Sequence, residues 1–497
     1  MNDDDIRLSR HTGISRRSML RAGAGGAGAL LVPAQAVRKR SVPADVPEAR
    51  TVVETASGRL RGRTTGRVTA FRGIPYATAE RFAPPRPVAP WTGVRDALEP
   101  GPAAPQLTSP LAHVMGDFTV PQSEDCLSLN VWAPRGSRLP VLVFLHGGGF
   151  STGGAGLPWY DGASLADTGD VVVVTIAYRL GVLGFLRLAG VSDGNLGLRD
   201  QHLALRWIHD NIAAFGGDPG NVTLAGQSAG GYSILTMMAD ARTKGLFHRA
   251  ILQSVPSGKP PGTLDEARTN SRLLLEELGL GPSDGARLRT APVADLLRAQ
   301  DAVAFRTAKP LDAIPPFQPV ADGDLVQDDP VRAAGARTDA GLRVMLGSTR
   351  DEAAAYVVGD PAVDKLTQDD LDKLAVRWFG DASPAQSHGR TVTQVAVDMC
   401  TRQLFRDSED RLAGLLAGRG SAPWRYRFDW SPRHSPYGPC HCIELPFLLG
   451  SPGAWKDAPM LDGEQPAALT GEVQRAWASF ARSGDPGWAA GTAHRFT

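Results

Sequence analysis

Cysteine is scarce, neither sign of charge dominates, and no long apolar run occurs beyond the N-terminal region. The 497-residue chain carries four cysteines, too few to staple a fold of this length, so packing must hold it together and disulfides are at most incidental. Its 53 basic and 52 acidic side chains leave a formal net charge of +1. A polyanion-binding role is therefore disfavoured, and no nucleic-acid partner is expected. No self-similar period is visible, which argues against solenoids and propellers. What is present, 42% hydrophobic and 21% charged residues, suits a globular protein able to bury a large core.

The first residues read as an address. Ser15-Arg16-Arg17-Ser18-Met19-Leu20-Arg21 precede a small-residue apolar run from Ala22 to Val32, and Ala34-Gln35-Ala36 offers the pattern that signal peptidase cuts after. The order resembles a twin-arginine export signal. The run is shorter than the roughly 20 apolar residues a membrane span needs, so no stable membrane insertion is expected once the signal is removed. The alternative is a disordered basic N-terminus in a cytosolic protein. The expectation is a signal over residues 1–36, a linker over 37–50 and one folded domain over 51–497, exported to the envelope or beyond.

Leu139-Pro-Val-Leu-Val-Phe-Leu-His146 and Val171-Val-Val-Val-Thr-Ile-Ala177 are short continuous apolar runs, as in strands buried on both faces of a mostly parallel sheet. Asn221–Gly226 and Leu342–Gly347 look alike. Asp200 to Ala214 places Leu203, Leu205, Trp207, Ile208 and Ile212 close to helical spacing. Strands alternating with helices predict an α/β fold. The stretch from Pro256 to Pro319, with a helix-like Leu264 to Leu278, reads as a helical insertion over one end of the sheet.

Gly226-Gln227-Ser228-Ala229-Gly230 follows one predicted strand and precedes the helix-compatible Tyr232 to Ala241. A sharp strand-to-helix turn with closely packed backbones needs glycine two positions either side of the serine, and it lifts the Ser228 hydroxyl above the sheet. A pentapeptide of this form also arises by chance as a glycine-rich turn; strand before and helix after favour a nucleophile. His146-Gly147-Gly148-Gly149-Phe150 closes another predicted strand. Its unobstructed N–H groups suit an oxyanion hole made by Gly148, Gly149 and Ala229, the bland alternative being a flexible loop. A phosphate loop is excluded because no Gly-Lys-Ser/Thr follows.

Several longer motifs occur in one order: Phe71-Arg-Gly-Ile-Pro-Tyr-Ala77, Ser123-Glu-Asp-Cys-Leu-Ser-Leu-Asn-Val-Trp132, Asn195-Leu-Gly-Leu-Arg-Asp-Gln201 and Phe215-Gly-Gly-Asp-Pro-Gly-Asn-Val222. Together with the serine turn they resemble the type-B carboxylesterases, the α/β-hydrolase family that includes the cholinesterases and the non-enzymatic neuroligins. The resemblance implies a large mostly parallel sheet flanked by helices, a small-molecule ester as partner, and no metal or organic cofactor. It implies Glu352, in Thr349-Arg-Asp-Glu352, as the triad acid, with Asp351 as competitor, and His441, in Gly438-Pro-Cys-His441-Cys-Ile-Glu-Leu-Pro-Phe447, as the base. It also implies a structural Arg72–Glu124 salt bridge and a Ser254 hydroxyl bonded near the triad. An amidase, carbamate hydrolase or thioesterase is the rival within enzymes. A silent neuroligin-like module would be expected to lack the serine.

Cys440-His441-Cys442 invites a zinc reading, disfavoured because structural sites space their cysteines by two to four residues. The two thiols are expected to pack around the histidine loop or pair with each other, and Cys126 and Cys400 to be buried thiols. Gln227 stands where cholinesterases carry Glu, and the loop from Pro105 to Gln122 contains no Trp, so choline esters are poor candidates and neutral esters fit better. The family's last sheet strand is in doubt because the chain stops at Thr497.

Overall fold

The computed structural model describes residues 49–308, 311, 315–336, 341–450 and 452–497. The expected signal, and the linker as far as residue 48, lie outside the described residues. β1 (Ala49–Thr55) starts two residues ahead of the expected Thr51.

With β1, eleven further strands form a single sheet: β2 (Gly58–Thr65), β3 (Val68–Pro75), β4 (Val94–Asp96), β5 (Ser128–Pro134), β6 (Leu139–Leu145), β7 (Val172–Ile176), β8 (Gly217–Gln227), β9 (Arg249–Gln253), β10 (Arg343–Thr349), β11 (Trp424–Phe428) and β12 (Ala493–Phe496). Its order is β1-β2-β3-β5-β7-β6-β8-β9-β10-β11-β12, with β4 beside β2. Pairings from β7 through β12 are parallel, and those from β1 to β7 along this path antiparallel. Composition follows position. Every residue of β7 is buried, as both-face coverage demands. On β2, Leu60, Gly62 and Thr64 are buried while the arginines between them face outward, the two-residue period of a half-exposed strand. The doubted edge is filled by β12, which pairs with β11.

The longer helices are α1 (Ala163–Gly169), α2 (Leu196–Asn211), α3 (Ala229–Ala239), α4 (Leu264–Glu277), α5 (Val293–Arg306), α6 (Gln368–Phe379), α7 (Val392–Thr401), α8 (Asp407–Ala417) and α9 (Ala467–Ser483). Alternation along β6 divides the interior in two. Val141, Val143 and Leu145 join the core beneath α2 and α3, whereas Leu142 and Phe144 join the one beneath α1 and α9. The expected helical insertion is present as α4 and α5. A Thr263–Glu266 capping box starts α4, satisfying backbone N–H groups that the first turn leaves open. A second insertion, α6 to α8 between β10 and β11, was not anticipated, although Leu371, Leu374 and Ala375 give α6 a buried stripe at helical spacing. Among the described residues, no helix is long and apolar enough to cross a membrane.

The chain runs from β6 out to β7 and then back across to β8 on the other side of β6. In open α/β sheets the crevice at the carboxyl ends of strands where the order reverses is where ligands bind. The glycine loop leaves β6 at that point, and Ser228 leaves β8 beside it.

Candidate active site

Ser228 has φ 56° and ψ −123°, a conformation that costs a non-glycine residue energy and is held here by its surroundings. Its N–H donates to the Gln253 carbonyl on β9 at 2.9 Å, and its own carbonyl accepts from Tyr232 N–H one turn into α3. The flanking glycines are required by contact: a Cβ at Gly226 would lie 2.6 Å from the Gly230 carbonyl carbon, and one at Gly230 2.7 Å from that of Leu145. The positive end of α3 lies behind the hydroxyl.

Gly148 and Gly149 adopt φ 104° and 60°, open to glycine and strained for most residues. The Gly148 carbonyl turns into the loop and accepts from Ser151 and Thr152 N–H at 3.0 Å. A Cβ on Gly147 would sit 3.0 Å from the Ser228 Cβ, so the loop lies directly against the serine. The N–H groups of Gly148, Gly149 and Ala229 donate to no described residue.

Glu352 and His441 meet out of solvent. Glu352 Oε2 lies 2.5 Å from His441 Nδ1, and Oε1 accepts from Thr349 N–H at 2.7 Å. A carboxylate held by a backbone donor on one oxygen and an imidazole on the other fixes the ring's orientation and its tautomer. With the proton on Nδ1, Nε2 carries a lone pair, and Gln227 Nε2 faces it at 3.2 Å. The same amide donates to Cys442 Sγ at 3.3 Å. Tyr356 and Phe405 flank the ring, with centroids 5.4 and 5.2 Å away. Ser228 and His441 line one cavity, but no hydrogen bond joins their side chains: the lone pair that a serine hydroxyl would use is occupied by the Gln227 amide.

Competing assignments lose on geometry. Asp351 pairs with Arg350 at 3.0 Å and is partly exposed. His146 stacks on Tyr178, gives or takes a bond with the Gly147 carbonyl, and is pushed down to about 4 by burial, so it stays neutral and structural. The expected Arg72–Glu124 bridge is absent. Arg72 pairs with Asp161 at 2.7 Å, because the β3–β5 ladder shifts register between Phe71 and Ile74, where a bulge re-aims side chains. Glu124 is held instead by Arg81. Ser254 does not bond near the triad; its hydroxyl is buried without a partner. Cys440 and Cys442 are free and buried rather than paired, and burial raises both thiols, as it does those of Cys126 and Cys400. Among the described residues, no group of three or more His, Cys, Asp or Glu is arranged to hold a metal.

Glu444 escaped sequence reasoning. Its carboxyl is buried beside Gln253, and burial, followed by the charge of Glu352, pushes the group up to about 8. Its place three residues after the histidine was visible, but its burial was not.

Residues 49–494 match the pattern of the carboxylesterase family. The chain belongs to that family. It is 40% identical over 457 residues to a probable N-octanoylanthranilate hydrolase of Rhodococcus erythropolis, covering 88% of this chain and 94% of the relative. To phenmedipham hydrolase of Pseudarthrobacter oxydans it is 39% identical, covering 88% and 91%. A solved PNB esterase superposes with a TM-score of 0.80 at 35% identity, covering 89% of this chain and 93% of that one. This carboxylesterase is thus a serine hydrolase of carboxylic esters with an α/β-hydrolase fold. Its cavity, about 460 Å³, is walled by the glycine loop, the 106–122 segment, α5, Pro315–Gln318, and Tyr356, Leu404 and Phe405 from the stretch between β10 and β11.

Proposed function

We propose that this carboxylesterase works through Ser228, His441 and Glu352, with Gly148, Gly149 and Ala229 as oxyanion donors. The observation that carries the reading is the buried Glu352–His441 contact at 2.5 Å in the cavity that also holds Ser228. When an ester enters, a small rotation of the Gln227 amide frees Nε2. Ser228 Oγ attacks the carbonyl carbon as Nε2 takes its proton, and Glu352 stabilises the imidazolium. Negative charge on the former carbonyl oxygen is met by the three N–H groups. The intermediate collapses with breakage of the ester C–O bond, and His441 returns the proton to the departing alcohol. Water, activated by the same imidazole, then releases the acid and restores Ser228. Each oxyanion donor contributes roughly 3 to 4 kcal/mol to such steps.

A fluorophosphonate probe is expected to label Ser228, as read by peptide mass spectrometry, and Ser228→Ala to abolish turnover of short aryl esters. Unchanged turnover refutes the nucleophile. Amide hydrolysis is the second reading. The name of the Rhodococcus relative describes cleavage of an N-acyl linkage, and one triad serves both bonds; parallel rates on matched anilides and aryl esters decide between them. We also propose that residues 1–36 export a single catalytic domain by the twin-arginine route, with a mature N-terminus near Val37. N-terminal sequencing of the protein from culture supernatant and envelope fractions tests it.

A further inference from the structure

α5 presents Gln300, Asp301 and Ala304 to the active-site cavity. Gln300 is committed to the fold, since its Oε1 accepts from Val182 N–H at 2.7 Å. Asp301 is not. Its Oδ1 is out of solvent with no hydrogen-bond partner, and its carboxyl is raised by burial alone. The basic residues of its own helix are engaged elsewhere: Arg298 pairs with Asp295, and Arg306 with Glu276 and Glu277. Among the described residues lining the cavity there is no Lys or Arg. The cavity's other carboxylate, Asp117, accepts from the following Phe118 N–H at 2.8 Å, in the 106–122 segment. A carboxylate oxygen withdrawn from water and left unpaired is costly, and such groups concentrate where a ligand completes them.

The position of α5 says which part of a substrate Asp301 meets. Val182, held by Gln300, follows Gly181, whose N–H donates to the carbonyl of Phe150, the residue after Gly149. Pro315, on the same wall, lies 3.5 Å from where a Gly149 Cβ would be. This wall adjoins the glycine loop. The alcohol must leave beside His441, which protonates it, so the acyl arm extends along the glycine-loop side.

We propose that Asp301 is a specificity-determining residue that receives a protonated amine on the acyl arm of the ester. The inference rests on the Ser228 esterase reading and deepens it. The wall beside the glycine loop carries this carboxylate. Asp301 is only partly buried, and an ammonium that reaches its carboxylate from the cavity supplies both a hydrogen bond and the counter-charge, while a methyl-ended acyl group leaves the carboxylate unpaired.

The test is a series of p-nitrophenyl esters of ω-amino acids of increasing chain length, each against its methyl-ended isostere, on the purified mature enzyme and on Asp301→Asn. At the chain length that reaches α5, kcat/KM is expected to favour the ammonium ester by about tenfold or more, the scale of a charged hydrogen bond. Asp301→Asn should abolish that preference. No preference at any length in the parent enzyme overturns the proposal, as does a preference that survives in Asp301→Asn. The methyl-ended esters keep the two readings apart, because their turnover reports the esterase chemistry whatever becomes of Asp301. Should Asp301→Asn fail to fold, the parent series still decides, with protection of Ser228 from fluorophosphonate by n-alkylammonium but not by the matching n-alkanol as the second expected result; equal protection counts against the proposal.

Discussion

Adjacent carboxylates at 351 and 352 have opposite environments, and their replacement should differ accordingly. Glu352→Gln leaves the imidazole facing an amide that cannot stabilise its charged form; kcat on an aryl ester should fall by roughly a thousandfold to ten-thousandfold. Asp351→Asn, at a carboxylate bonded by a partly exposed arginine, should leave kcat within about twofold, since exposed pairs contribute little. Steady-state rates for the two variants side by side check this. Glu444 offers a prediction about stability. Its folded carboxyl titrates near 8 and its unfolded one near ~4.3, so between these values the folded state holds a proton that the unfolded state has released. Stability from this group therefore falls as pH rises through that window and levels off above it. Glu444→Gln removes the loss, so its Tm relative to the parent should climb from pH 5 to pH 8, read by differential scanning fluorimetry on labelled, inactive protein. A difference that stays flat with pH contradicts the buried-acid account.

At the level of elements, the serine turn depends on three backbones meeting. Gly230 sits where a methyl would press on the end of β6, so Gly230→Ala must part α3 from the sheet. Such overpacking costs about 1–3 kcal/mol and should lower Tm by calorimetry, with kcat falling further than Tm alone explains because the glycine loop shifts with β6. Much of this arrangement was legible: continuous apolar runs marked the inner strands, and glycine spacing marked the turn. The second insertion was harder to read, because its helices divide between the two cores, Leu371 and Leu374 of α6 in one and Leu412 and Leu416 of α8 in the other, so local periodicity alone did not say that Tyr356, Leu404 and Phe405 would wall the cavity.

For the molecule as a whole, β12 closes one edge. Phe496 is fully buried against Tyr426, Phe428 and Trp477. Deleting residues 493–497 opens that core and should cost about 3–5 kcal/mol, the scale of losing a buried aromatic, seen as a lower Tm and a smaller soluble yield. Ser228 follows β8, four strands away, so the surviving protein should retain its turnover per labelled Ser228. By itself the sequence singled out the residues proposed for the site: Ser228 by the local geometry its glycines impose, the glycine loop by its unobstructed amides, and Glu352 and His441 through motifs long enough to be specific. Only the tertiary structure decided whom they face. Contact between residues hundreds of positions apart depends on strand order and on the aim of individual side chains, which no local pattern encodes. That is why Arg72 turns to Asp161, Gln227 takes the imidazole lone pair, Glu444 is sealed from water, and Asp301 is left facing the cavity without a partner.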